Sequence, residues 1–187
     1  MQPTHSPHSG VVVVPYDPRW PLEFERASSE VSVAMSPVVM AVHHIGSTSI
    51  PGLLAKPVID MLAEVSDLSS VDQRAAVMAG LGYEVMGEFG ITGRRYFRRN
   101  DAQGRRTHQI HAFVAGCFNV IRHLAFRDYL RAHPTPTRQY GELKRRLAEA
   151  HPQDVEAYMD GKDAFVRHIE LQAIAWLGVS NADANIA

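Results

Sequence analysis

A single cysteine, Cys117, excludes an internal disulfide framework, so packing and hydrogen bonds must hold the fold, as suits a reducing compartment. Net charge is also nearly absent. The 19 Lys and Arg set against 20 Asp and Glu leave −1, so no overall field draws the chain to a long nucleic acid or an anionic membrane. No apolar run approaches the roughly twenty residues that cross a bilayer. Residues 1–10, with Pro3, His5, Pro7 and His8, lack the basic-then-apolar blocks of a signal peptide. There is no Gly-x-x-x-x-Gly-Lys-Ser/Thr loop, no internal repeat and no Ser-His-acid arrangement at recognisable spacing. The expectation left by these exclusions is a soluble, cytoplasmic protein with no membrane partner.

What is present suffices for one domain: 187 residues, 45% apolar, can bury a core of ordinary size. Residues 1–10 and 179–187 read as loose tails around a single unit, 11–178. Its first part, 11–116, carries the strand signals. Val11–Val14 is β-branched and ends at Pro15. Asp17-Pro18 reads as an N-cap and first helical turn, followed by Trp20, Phe24, Ala27 and Val31 on one face. Val38–His44 is a strand, and a second begins at Lys56-Pro57. Ser70–Gln73 forms a capping-box pattern for a helix that Gly82 stops. Tyr83–Glu88, Arg95–Arg99 and Thr107–Val114 complete the strands. From 117 to 178 only helical periods occur, broken at Pro134-Thr135-Pro136 and His151-Pro152, which predicts three helices. So few helices between strands predict an α+β fold: a mixed β-sheet with packed helices and a C-terminal helical cap.

The densest stretch is His43–Met61. A strand runs into Gly46-Ser47, a Pro51-Gly52 turn follows, and the next strand carries one acid, Asp60, between apolar neighbours. Glycine lets a backbone approach a ligand closely, and N–H groups with a serine hydroxyl make an anion cradle. A carboxylate on the adjoining strand can hold the Mg²⁺ that accompanies a phosphate.

The Gly46-Ser47 turn and the apolar-Asp-apolar strand resemble the signature of the nucleotidyltransferase superfamily. More closely, His44-Ile-Gly-Ser-Thr-Ser-Ile-Pro-Gly-Leu53 with Ala55-Lys-Pro-Val-Ile-Asp60 resembles the GrpB-like family of small bacterial proteins. Further shared words are Val14-Pro-Tyr-Asp-Pro-Arg-Trp20, Gly93-Arg-Arg-Tyr-Phe97, Arg106-Thr-His-Gln-Ile-His111 and His123-Leu-Ala-Phe-Arg-Asp-Tyr-Leu-Arg131, with Tyr158, Gly161-Lys162 and Phe165. The resemblance spans about residues 11–178 and implies a nucleotidyltransferase-like sheet. It also implies a link to coenzyme A or nucleotides, because similar domains occur fused to dephospho-coenzyme A kinase.

The superfamily pattern places two carboxylates two residues apart on one strand, where alternate residues share a face. Here that second position is Leu62. Glu64 lies on the same face but about 13 Å along the strand, too far for two-metal sites with ions about 3.5–4 Å apart. Either Asp60 alone holds Mg²⁺ or Mn²⁺ with help from substrate phosphates, or Gln109 and His111 stand in for the superfamily's third carboxylate. His111 is open to four roles: metal ligand, general base, phosphate hydrogen-bond donor, or a histidine satisfied within the sheet. Asp60 and His111 are thus the catalytic and metal candidates.

Phosphate or nucleotide candidates are Gly46, Ser47, Thr48 and Lys56, with Arg95 and Arg106 taken from six arginines between 94 and 106. His123, Arg127 and Arg131 recur every four residues and predict one cationic stripe on a helix, with Asp128 beside it. That stripe either grips a polyphosphate across a cleft or docks the cap onto the sheet. His44, His108, Lys144 and Lys162 are further candidates. Two functions follow: divergent, metal-dependent nucleotidyl transfer, or non-catalytic binding of a nucleotide or phosphorylated small molecule. Oligomeric state is left open.

Overall fold

The computed structural model describes residues 10–178. The tails expected at 1–10 and 179–187 fall outside this range except for Gly10. Next to Gly10, the Val11 N–H donates to the Pro152 carbonyl at 2.8 Å.

Five strands form one sheet in the order β1-β2-β5-β4-β3: β1 (Val39–Ile45), β2 (Ile59–Val65), β3 (Glu84–Val85), β4 (Arg95–Asn100) and β5 (Arg106–Val114). β2 and β5 are parallel and the remaining pairs antiparallel, so the sheet is mixed. The helices are α1 (Trp20–Ala34), α2 (Leu68–Gln73), α3 (Ala75–Gly80), α4 (Phe118–Ala132), α5 (Pro134–Ala150) and α6 (Val155–Leu177). Among them none is long and apolar enough to cross a membrane.

Several expected boundaries move, each for a local reason. The first helix starts at Trp20, because Asp17 spends its carboxylate on the Arg19 N–H (2.9 Å) and guanidinium, making a turn in place of a cap. The N-cap of α2 is Asp67, whose Oδ1 accepts from the Ser70 N–H at 2.7 Å, and the helix breaks at Arg74 into α2 and α3. Val11–Val14 contributes only a bridge between Val14 and Ala55, next to the donor-less Pro15. Of Tyr83–Glu88 only Glu84–Val85 is strand. The three C-terminal helices lie where the proline breaks predict.

The period of two sorts the strands' side chains. Ile59, Met61, Ala63 and Val65 of β2, with Ile110 and Ala112 of β5 and Phe97 of β4, pack under α1, α2 and α3. The opposite face carries Asp60 and the cap. There Ile45, Leu62 and Phe113 are sealed by Val120 of α4. A third cluster joins the cap to the loop before β2, through Ile50, Leu53, Leu130, Tyr140 and Ile169.

Leu62 is fully buried in this arrangement. Leu62→Ala is expected to cost about 2–5 kcal/mol. Leu62→Asp, which would restore the superfamily's carboxylate spacing, is expected to cost more, because the new charge would lie unpaired beneath α4. Urea unfolding followed by circular dichroism checks both.

Candidate functional site

Gly46 ends β1 with φ 69° and ψ −172°, a backbone that L side chains rarely adopt. Ile45 pairs with Asp60 across the β1–β2 ladder, so this turn crosses directly over the acid. A Cβ on Gly46 would overlap the Asp60 carboxylate and stand 2.9 Å from its Cβ. The chain then makes a single 3₁₀ turn, Ser47–Ser49.

The cap supplies the opposite wall. Lys144 of α5 is 2% exposed; its Nζ donates to Ser47 Oγ at 2.8 Å and to the Leu54 carbonyl, and lies 4.4 Å from the Tyr140 ring centroid. Lys162 of α6 lies 5.2 Å above the Tyr158 ring. Lys56, from the loop before β2, and Arg106 join these two lysines as the cations whose charge acts on Asp60.

Arg106 reaches this face by a bulge. β4 and β5 pair Arg99 with His108 but Asn100 with Arg106, so β5 carries one extra residue there. Arg106 consequently stands with Asn100 and Tyr96, donating to Asn100 Oδ1 at 2.8 Å and to the Tyr96 hydroxyl at 3.1 Å. Without the bulge, strand alternation would put it with His108 on the far face.

Among the described residues Asp60 accepts no hydrogen bond and has no ion pair within 4 Å. Burial pushes its carboxyl up to about 7, against the opposing pull of Lys162, Lys56, Arg106 and Lys144. The residue nonetheless keeps partial contact with solvent. Burial also lowers Lys144 to about 7, with Lys162 adding to the effect and Asp60 opposing it. Lys162 and Lys56 are lowered for the same first reason.

The remaining candidates are distributed elsewhere. Gln109 is beside Asp60 in the β2–β5 register. His111 shares this face two residues further along, beside Leu62. Its Nδ1 meets the Arg94 guanidinium at 3.3 Å, and its ring lies 5.8 Å from that of His123. Burial holds His111 down at about 3 and His123 at about 4, so both rings are neutral near pH 7. His123 is bonded to the Asn119 carbonyl.

His44 faces the other side of the sheet, stacked on Phe24 of α1 at 4.7 Å and bonded to Thr48 Oγ1 at 3.0 Å. Thr48 is buried and donates to the Val58 carbonyl, so its hydroxyl is already committed. Its neighbour His43 pairs instead with Glu64, at 2.7 Å. His108 lies on the far face against Arg99. Arg95 is there too, paired with Asp72 on α2, while Arg94, one residue earlier and on the other side of the alternation, reaches His111.

The cationic stripe on α4 docks the cap. Arg127 donates to the His44 carbonyl at 3.2 Å, and Arg131 donates twice to the Ser49 carbonyl, at 3.0 and 2.8 Å. Asp128 lies between them, 2.7 Å from Arg127. These bonds clamp the Gly46–Ser49 turn from both sides and engage both guanidiniums with backbone carbonyls.

A cavity of about 730 Å³ between residues 50–54 and helices α4 and α5 is lined by neither Ser47, Asp60 nor Lys144. Sequence reasoning missed Tyr96, Tyr140 and the Leu54 carbonyl as members of the site. A carbonyl has no side-chain signature, and Tyr140 reads simply as a buried helix position.

The donor set does not suit a resident Mg²⁺ or Mn²⁺ pair. The second carboxylate position is the buried Leu62, the first is encircled by cations, and the described residues contain no group of three or more His, Cys, Asp or Glu placed to hold a metal ion.

The sheet order, with a Gly-Ser turn crossing an acid on β2, defines a protein of nucleotidyltransferase-like fold. Terminal uridylyl transferase 4 from Trypanosoma brucei, solved with bound dUTP, superposes with a TM-score of 0.53 at 10% identity, over 92% of this chain and 60% of that one. The Cid1 poly(U) polymerase with bound Mg 3′-dATP gives 0.52 at 12%, over 73% and 43%. At such identities the likeness is one of fold.

The chain belongs to the GrpB family: the GrpB protein family matches residues 10–172. The conserved protein GrpB from Enterococcus faecalis, a crystal structure, superposes with a TM-score of 0.85 at 41% identity, over 89% of this chain and 99% of that one. The UPF0157 protein YqkA of Bacillus subtilis is 41% identical over 181 residues, and the chain spans 96% of itself but only 52% of YqkA in that match. A dephospho-CoA kinase of Mycolicibacterium paratuberculosis is 27% identical over 89% of this chain and 46% of its own length.

Two outcomes test this site. Arg131→Ala, which orphans the Ser49 carbonyl, is expected to lower stability by about 1–3 kcal/mol in denaturant unfolding. The second concerns pH. Asp60 titrates near 7 when folded against 3.8 in its ordinary state, so the folded protein holds an extra proton between those values. Stability from this group is therefore present below about pH 4 and lost as pH rises to about 7. Lys144, lowered from 10.5 to about 7, does the reverse, and its penalty is relieved above pH 7. Asp60→Asn is expected to raise Tm, and to raise it more at about pH 8 than at about pH 5.

Proposed function

We propose that the protein binds a nucleotide or a phosphorylated small molecule in the hollow between the Gly46-Ser47 turn and helices α5 and α6. The observation that carries this reading is the ring of Lys56, Arg106, Lys144 and Lys162 around one partly exposed acid without an ion pair. Taken together these groups are in excess of the single carboxylate they surround. Burial makes that excess costly. A multiply charged anion offsets the cost, and lysine and arginine are the donors phosphate recognition uses.

Binding without transfer fits the residues better than metal-dependent nucleotidyl transfer. Transfer through two metal ions needs a pair of carboxylates on β2, and Leu62 occupies the second place beneath α4. His111 is neutral and already engaged by Arg94, which suits a positioning role more than proton transfer. Nucleotidyl transfer stays as the second reading because the fold neighbours named above are terminal transferases. The dephospho-CoA kinase relatives extend the ligand class to coenzyme A precursors. A cytoplasmic location, where such ligands are abundant, belongs to the same proposal.

Thermal-shift titration with nucleoside triphosphates, coenzyme A, dephospho-coenzyme A and pyrophosphate, each with and without Mg²⁺, tests the reading. At least one ligand is expected to raise Tm, with the shift growing as the logarithm of concentration. Lys144→Met should remove most of that shift, whereas Arg95→Gln, on the far face, should leave it unchanged. A flat response to the whole panel would remove the proposal. Release of pyrophosphate by the wild type but not by Asp60→Asn would instead favour transfer.

A further inference from the structure

We infer that the hollow takes its phosphate anion without a divalent metal, the positive charge coming from Lys56, Arg106, Lys144 and Lys162, with Asp60 acting as counter-charge to these side chains and not as a metal ligand. The inference rests on the anion-binding reading above and deepens it.

Geometry carries the argument. A metal-held phosphate needs oxygen donors converging on one point, and here Asp60 is the one carboxylate on the floor of the hollow. The next residue on that face of β2, Leu62, is covered by Val120, and Glu64 beyond it is paired with His43 at 2.7 Å. From β5, Gln109 can offer at most an amide oxygen and His111 is turned to Arg94. Cations, by contrast, enter from every wall. Lys56 comes from the loop before β2, Arg106 from the bulge on β5, Lys144 from α5 and Lys162 from α6.

Three of the four are held by the structure. Lys144 is anchored on Ser47 Oγ and the Leu54 carbonyl, Arg106 on Asn100 and the Tyr96 hydroxyl, and Lys162 lies over the Tyr158 ring. The phenols of Tyr96, Tyr140 and Tyr158 are each raised by burial and stay neutral near pH 7.

A doubly charged metal bound at Asp60 would have these cations as neighbours and be repelled by each. A phosphate in the same place is attracted by all of them. The Asp60 carboxylate then has opposite consequences in the two cases: it is indispensable to a metal-held anion and works against a lysine-held one.

Isothermal titration with inorganic pyrophosphate, in buffer containing EDTA and in buffer containing Mg²⁺ or Mn²⁺, separates them. Binding in EDTA is expected to be at least as tight as with either metal. Asp60→Asn is expected to keep or tighten binding, and Lys144→Met and Lys162→Met to weaken it tenfold or more. Circular dichroism confirms that each variant is folded, and the more exposed Lys162 provides the reading should Lys144→Met fail to fold. Binding that is tenfold or more tighter with metal, or that disappears in Asp60→Asn, would overturn the inference while leaving the anion-binding reading intact. An absence of pyrophosphate binding in all buffers would overturn the inference, and a flat thermal-shift response to the whole ligand panel would overturn the anion-binding reading with it.

Discussion

The backbone of Gly46 lies directly against the carboxylate of Asp60, and much of the site follows from that contact. Close approach of a chain without a side chain strips water from one side of the acid. An acid so placed resists ionising, and positive charges gathered around it are the only compensation available in the described structure. The cap exists in this geometry partly to deliver them. Lys144 and Lys162 each sit on a different helix, and each passes an aromatic ring on the way to the hollow.

The same turn is gripped from the other side. Arg127 and Arg131 give their N–H groups to the carbonyls of His44 and Ser49, satisfying acceptors that a tight turn leaves unpaired. The cap is therefore fastened to the turn that crosses Asp60, and the apolar contacts of Ile50 and Leu53 with Leu130 and Tyr140 complete the joint. Arginines that look, on a helical wheel, like a ligand-facing stripe serve here to hold the two layers in register. The rigidity this gives the Ser47 hydroxyl is a condition for any recognition in the hollow.

Within the GrpB family's nucleotidyltransferase-like frame, this chain keeps the turn and the first acid and fills the next acidic position with an aliphatic core residue. Leu62 has become part of the packing beneath α4, so the change is built into the joint between sheet and cap. Alternate residues of a strand share a face, so one of them can belong to the core while its neighbour two residues away stays partly exposed.

Sequence alone determined the strand carrying Asp60, the Gly46-Ser47 turn before it, the mixed sheet and the three cap helices. These rest on local signals: β-branched runs, a Gly-Ser pair where one of them ends, and proline breaks. It also put Leu62 on the same face as Asp60, where the resemblance to the nucleotidyltransferase superfamily implies a second carboxylate. What only the tertiary structure decided was the fate of the charges. Lys144 meets Ser47 across 97 residues. Arg106 changes face through a one-residue bulge set by its pairing with Asn100. Arg95 goes to Asp72 and Arg127 to a backbone carbonyl. A guanidinium or ammonium carries its own charge wherever it stands, but what that charge does depends on which acceptor the fold brings within hydrogen-bonding distance, and local spacing holds no record of that.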